Sequence, residues 1–309
     1  MLDGCAEVDD TQLGYRFRTT ATVARLRRIA RIVACLLRAT PTRAEERTVQ
    51  LADINVTVWS ERIDDVHDQP VLIFSHGFHA CATQSRFLME ALASAGYLIL
   101  APNHRDATCN GGHAHWLQQP QIGFWKPDNW NDTTFEDRGE DVRHVEEAAL
   151  GDGRFRRADW LRLGLVGHSL GGYTMLALAG AWPQWKLELG GVKAVLALSP
   201  YSQPFIAHGN LEGLAVPVMY QGGTHDLGIT PAIAKTEGVY DRSPEPKYLV
   251  VISKPGYLAW TDIGRAVFRK PIVDYSVAFL DRYVKGQPAV PLLTEAGLGI
   301  SLFRHPPTP

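Results

Sequence analysis

The sequence predicts an α/β fold built on one mostly parallel central sheet with helices on both faces, and three observations predict it. Short, mainly apolar runs recur at 71–74, 163–166, 192–198, 217–220 and 248–252, the first of them continuous as in a strand covered on both faces. Helix-like stretches at 85–95, 140–150, 174–181 and 271–283 alternate with them. The turn Gly167-His168-Ser169-Leu170-Gly171 joins the 163–166 run to a small-residue stretch that reads as the start of a helix.

Residues 1–47 form an arginine-rich N-terminal extension. Between Ala21 and Arg47 lie seven arginines against Glu45 and Glu46, flanking Val23, Leu26, Ile29, Val33, Leu36 and Leu37 at helical spacing. A surface helix docked on the domain fits this pattern, with a membrane-surface or targeting helix as the alternative. The domain proper is expected over 48–286. Residues 49–59 alternate as a two-strand entry does, and 97–101 supplies a further strand. The segment 106–132 breaks the pattern, with Gly111, Gly112, Pro120, Pro127 and the rings of Trp116, Phe124, Trp125 and Trp130. An irregular loop of this length is usually functional. It leaves a strand, so it belongs on the carboxyl-end rim where open α/β sheets bind ligands. Residues 287–309 read as an irregular tail.

The chain of 309 residues has 45% hydrophobic residues, 21% charged residues and a formal net charge of −2, so it offers no general field for nucleic acid. No apolar run approaches the roughly 18 residues of a spanning helix, so no transmembrane segment is expected and the cytoplasm is the default location. Cys5, Cys35, Cys81 and Cys109 are widely spaced without a CxxC pair. They read as free thiols, with one disulfide as the alternative. The glycines around Ser169 enclose a nucleophile and not a phosphate-binding GxGxxG turn, so no cofactor is expected. His113 and His115 form an HxH pair near Cys109 and Asp106, a spacing too weak to assign a metal.

The chemistry starts at Ser169. A strand, sharp turn and helix expose such a serine for attack, and Gly167 and Gly171 keep bulk away from the turn. Acyl transfer also needs two donors aimed at the oxygen that becomes negative. The backbone amides of Leu170 and of Phe78, the latter in Ser75-His76-Gly77-Phe78 after the 71–74 strand, are the candidates. Asp226, in Gly222-Gly223-Thr224-His225-Asp226, follows a later strand and fits the acid of a Ser…Asp…His order.

These segments, with Asn103-His104-Arg105-Asp106 and Gly222 to Thr230, resemble the α/β-hydrolase superfamily over roughly 48–286. Within it the chain is similar to cutinase-like polyester hydrolases, dienelactone-hydrolase-like proteins and bacterial relatives of platelet-activating-factor acetylhydrolase. The resemblance implies an α/β-hydrolase fold and cofactor-free hydrolysis of carboxylic esters. Ser169 then corresponds to the nucleophile, Asp226 to the acid, and the Leu170 and Phe78 amides to the oxyanion hole. The family histidine falls in a segment that here reads Gly256-Tyr257-Leu258-Ala259-Trp260, so Tyr257 occupies its position. A phenol with a pKa near 10 does not take up a proton at neutral pH as an imidazole does. His79, His104 and His225 are the candidate substitute bases. Phe78, Trp116, Phe124, Trp125, Trp130 and Trp260 are the candidate substrate-binding rings. The expected function is serine-dependent hydrolysis of small or medium carboxylic esters. The alternative is an inactive protein of the same fold that binds a hydrophobic ligand or a protein.

Overall fold

In the computed structural model, which describes residues 44–110, 123–185, 189, 191–208 and 211–306, the apolar runs pair into one nine-stranded sheet. The strands are β1 (Glu45–Leu51), β2 (Ile54–Ser60), β3 (Pro70–Ser75), β4 (Leu98–Pro102), β5 (Asp159–His168), β6 (Val192–Leu198), β7 (Val218–Gly223), β8 (Lys247–Ile252) and β9 (Ile300–Arg304). Their spatial order is β1-β2-β4-β3-β5-β6-β7-β8-β9. The pairings from β4 through β8 are parallel, while β1, β2 and β9 join antiparallel at the edges.

Strand periodicity sorts the side chains into two cores. Val71 and Ile73 enter one, Leu72 and Phe74 the other, and β4 divides the same way between Leu98 and Ile99. Helices α1 (Arg86–Ser94), α2 (Glu136–Gly151), α3 (Leu170–Leu176) and α7 (Arg269–Tyr283) cover these faces. Three short helices, α4 (Gln203–His208), α5 (Thr230–Ala234) and α6 (Val239–Arg242), fill the connections. On one face α2 and α3 bury Val142, Val145, Tyr173 and Leu176. On the other α1 and α7 bury Leu88, Leu92, Ile272 and Phe279. The architecture is that of an α/β-hydrolase, as the sequence predicts.

Three expectations change. Residues 287–309 are not uniformly irregular: β9 pairs with β8, and Ile300, Leu302 and Phe303 pack against the cores. Those five residues lack a strong strand signal of their own, and the apolar edge of β8 makes them a strand. The domain starts before 48, because Glu45 to Arg47 pair with β2, and Arg47 binds Asp64 instead of lying on a helix. The rest of the arginine-rich stretch, with Cys5 and Cys35, lies outside the described residues. The helix that leaves Ser169 runs from Leu170 through the expected 174–181 stretch, its last turn, Ala177–Ala181, being a wider π-type turn. Finally, Cys81 and Cys109 form a disulfide and are not free thiols. Adjacent β3 and β4 release their loops at the same edge of the sheet, which brings the two Cα atoms to 5.9 Å, within bridging range. Among the described residues no helix is long and apolar enough to cross a membrane.

Candidate active site

The carboxyl ends of β3, β5, β7 and β8 place the site. Ser75 of β3 lies in register with Gly167 of β5, so the loop after β3 and the turn after β5 meet. Ser169 stands between β5 and α3 with φ 56° and ψ −119°, a strained conformation for a residue with a side chain. The turn is fixed by its backbone: the Ser169 amide donates to the Leu198 carbonyl at 3.1 Å, and the Ser169 carbonyl accepts from Tyr201 at 3.0 Å. A Cβ at Gly167 would collide with the Gly171 backbone, and one at Gly171 with the Ser75 carbonyl. Glycine is therefore required at both places.

Ser169 opens onto a cavity of about 700 Å³ lined by Phe78, Phe124, Trp125, Tyr201, Ile229 and Tyr257. Phe124 packs edge-on to Tyr201, with centroids 4.8 Å apart, and its carbonyl accepts from the Tyr201 hydroxyl. A smaller cavity of about 260 Å³ on the other side of Phe78 and Tyr257 reaches His168, Leu258 and Ile263. The amides of Phe78 and Leu170 have no hydrogen-bond acceptor among the described residues.

Tyr257 fills the ground between serine and acid. Its hydroxyl donates to Ser169 Oγ in a very short hydrogen bond. Burial pushes the phenol pKa up, the contact with Ser169 pulls it down, and Asp226 raises it again; the net direction is upward. At neutral pH the group is a protonated phenol. Asp226 is buried, and its Oδ2 accepts from Ser199 Oγ at 2.7 Å and from Thr230 Oγ1 at 2.9 Å. Burial raises its pKa against the pull of those two hydroxyls. Among the described residues no hydrogen bond joins Asp226 to Tyr257.

None of the candidate substitute histidines forms a described hydrogen bond to Ser169. His225 is exposed beyond Asp226, held through its backbone to Pro255. His79 stacks on Phe78 at 3.6 Å, and its amide donates to Asp106 Oδ2. His104 is fully buried between Ser75 Oγ at 2.9 Å and Asp141 Oδ2 at 3.0 Å. Ser75, His104 and Asp141 thus copy the order of a catalytic triad inside the protein, where Ser75 has no exposed surface. The chain supports the loop after β3. Burial holds the His104 pKa well below the usual imidazole range, so its neutral ring accepts from Ser75 and donates to Asp141.

His168 packs under the turn. Gln84 Nε2 donates to its Nδ1 at 2.9 Å, so Nε2–H faces the Tyr257 carbonyl at 3.3 Å. Two of the expected substrate-binding rings serve elsewhere. Trp130 is buried against Phe124 and Tyr173 with its indole N–H on the Gly123 carbonyl, and Trp260 is buried with its N–H on Gln221. Each indole N–H finds its partner inside the protein, which turns the ring from the cavity. Trp116, His113 and His115 lie outside the described residues. The sequence reading missed Tyr201, Ser199, Gln84 and Arg138. Tyr201, Ser199 and Arg138 lie far along the chain from the motifs they serve, and only Gln84 lies within ten residues of the loop that it holds.

Fold, turn and cavity together define a protein of the α/β-hydrolase class. The chlorophyllase family, a branch of that superfamily, matches residues 64–203, a stretch that includes the loop after β3 and the Ser169 turn and ends before Asp226 and Tyr257. No curated protein matches the chain.

Proposed function

We propose that the protein hydrolyses carboxylic esters bearing an apolar or aromatic group, with Ser169 as nucleophile. The observation that carries this reading is the Ser169 turn, opening onto the aromatic cavity with the unpaired Phe78 and Leu170 amides beside it. The chlorophyllase match supports ester hydrolysis at the general level. The closer likeness to cutinase-like and acetylhydrolase-like proteins belongs to this proposal. So does the compartment: the Cys81–Cys109 disulfide favours an oxidising one over the cytoplasm.

Tyr257 enters as a neutral relay. Ser169 Oγ forms a bond to the carbonyl carbon and gives its proton to the phenol oxygen. The phenol gives its own proton to the leaving alkoxide as the C–O bond of the ester breaks. Water then attacks the acyl carbon and gives a proton to the phenol oxygen, the bond between the acyl carbon and Ser169 Oγ breaks to release the carboxylic acid, and the phenol proton returns to Ser169 Oγ. Tyr257 starts and ends neutral, as its raised pKa requires. Turnover is slow beside that of an imidazole site, since phenol is the weaker base.

A panel of p-nitrophenyl esters of rising acyl length, with the Ser169→Ala and Tyr257→Phe variants, tests the reading. Loss of hydrolysis in both variants supports it. Hydrolysis untouched by Ser169→Ala overturns it. The second reading, a protein that binds an apolar ester or ligand without turnover, is favoured by the same phenol, because it donates to the serine and no described imidazole pairs with it. Ester binding without Ser169-dependent product release establishes that reading instead.

A further inference from the structure

The oxyanion loop is held by a buried polar cluster whose centre is Arg138 of α2. Its guanidinium Nε donates to Asp106 Oδ1 at 3.0 Å, and Nη1 donates to the His76 carbonyl at 2.9 Å. Nη2 makes longer contacts, to the Gly77 carbonyl and to Asp106 Oδ2, each at 3.4 Å, and Nη1 lies 3.5 Å from Ser75 Oγ. Asp106 Oδ2 in turn accepts the His79 amide at 2.9 Å.

His76 completes the arrangement. Its Nε2 accepts the His104 amide at 3.1 Å, which leaves the proton on Nδ1, and Nδ1–H donates to the Gly77 carbonyl at 2.7 Å. The Arg138 Nη2 to His76 Nδ1 approach at 3.1 Å is then a contact between two donors and not a hydrogen bond. The neutral ring agrees with its pKa, which burial and then Arg138 hold well below the usual imidazole range. Gln84 Oε1 takes the Gly77 amide at 2.8 Å, and the Ala80 amide reaches the Gly77 carbonyl at 3.1 Å.

The backbone on both sides of Phe78 is therefore tied down, and the Phe78 N–H is left over. In a trans peptide the N–H points opposite to the preceding carbonyl. Fixing the Gly77 carbonyl inward turns the Phe78 N–H outward, toward the Ser169 cavity.

We propose that Arg138 is a positioning residue for the oxyanion hole: acting through the His76 carbonyl and through Asp106 on the His79 amide, it holds the Phe78 N–H aimed at the oxygen of the bound ester. The proposal rests on the ester-hydrolase reading for its ligand, while the clamp on the loop is a property of the folded chain alone. Removing one oxyanion donor typically costs about 10²–10³-fold in kcat.

The test compares the parent with Arg138→Met, Arg138→Lys and Asp106→Asn by two measurements. The first is Ser169-dependent hydrolysis of p-nitrophenyl butyrate. The expected result for Arg138→Met is a fall in kcat of about 10²-fold with KM within about threefold, since the lost interaction belongs to the transition state. Arg138→Lys, which retains a donor, recovers part of the loss. The second measurement is the ¹⁵N order parameters of Gly77, Phe78 and His79, expected to fall from the rigid value near 0.85 toward 0.6 in Arg138→Met and less in Asp106→Asn. Unchanged kcat and order parameters overturn the proposal, as does a loss carried by KM with a rigid loop. Should the parent show no Ser169-dependent hydrolysis, the ester-hydrolase reading fails, and the order parameters alone decide the clamp. Arg138→Lys and Asp106→Asn keep the test open if Arg138→Met does not fold.

Discussion

On the proposed ester-hydrolase mechanism, the functional group at Tyr257 decides how fast the site turns over. The phenol reaches Ser169 but makes no hydrogen bond to Asp226, whose Oδ2 is occupied by Ser199 and Thr230. An imidazole at this position has two nitrogens and can face both partners, using the remaining Asp226 oxygen. Tyr257→His is expected to raise kcat on short acyl esters at least about 10²-fold over the parent, the lower range of general-base catalysis. Stopped-flow acylation rates check it; a folded variant with no gain means that the site is built around the phenol. His168 provides a separate readout by pH. Burial lowers its folded pKa to about 4, below the unfolded value near 6.5. The stability it contributes is therefore complete above about pH 6.5 and is lost as pH falls through about 4. Relative to His168→Gln, the parent is expected to lose up to about 3 kcal/mol between those limits. Urea denaturation of both proteins from pH 7 to pH 4 measures it, and parallel curves would falsify the assignment.

Among the elements, the loop after β4 has the most varied work. Asp106 at its start accepts the His79 amide, Cys109 ties it to the loop after β3, and Phe124 and Trp125 at its far end line the cavity. The bridge joins residues 28 apart in sequence. By chain entropy, closing such a loop is worth about 3–4 kcal/mol. Reduction, or Cys109→Ser, is expected to lower stability by an amount of that order. It is also expected to raise KM for long-chain esters more than for short ones, because the cavity wall is carried by the same loop. Denaturation and acyl-length profiles with and without reductant check both. Little of this was legible beforehand. The strands at 71–74 and 248–252 are plain in the sequence because burial on both faces leaves continuous apolar runs. The disulfide is not, because Cys81 and Cys109 become neighbours only when β3 and β4 pair. Trp130 and Trp260 look like Trp125 in a sequence, and only their buried hydrogen-bond partners separate core rings from a cavity wall.

Over the whole molecule, the sheet is closed at one edge by five residues that the sequence gives little reason to notice. Without β9 the parallel strand β8, whose Tyr248 to Ile252 are all buried, becomes an open apolar edge. Such an edge templates pairing with other chains. Truncation after Pro291 is expected to leave a protein that binds hydrophobic dye and elutes as aggregates in size-exclusion chromatography, whereas the full chain does not. Identical elution overturns this. The site divides in the same way between local and distant information. Ser169 and its glycines form one contiguous motif, so their geometry follows from strand, turn and helix. Arg138 sits in the polar run of α2 and gains its meaning only where α2 crosses beneath the loop after β3.

The clamp around Phe78 also bears on how this chain can change over time. Tyrosine and histidine codons differ by a single base, so a conventional imidazole site lies one transition away from Tyr257. The costly part of the machinery, a buried guanidinium with every partner in place, stands ready on either side of that step. On the proposed ester-hydrolase reading, that single change exchanges a slow phenolic site for a fast imidazole one without rebuilding the scaffold. The residue at 257 is expected to vary among descendants more freely than the arginine that no substrate ever touches.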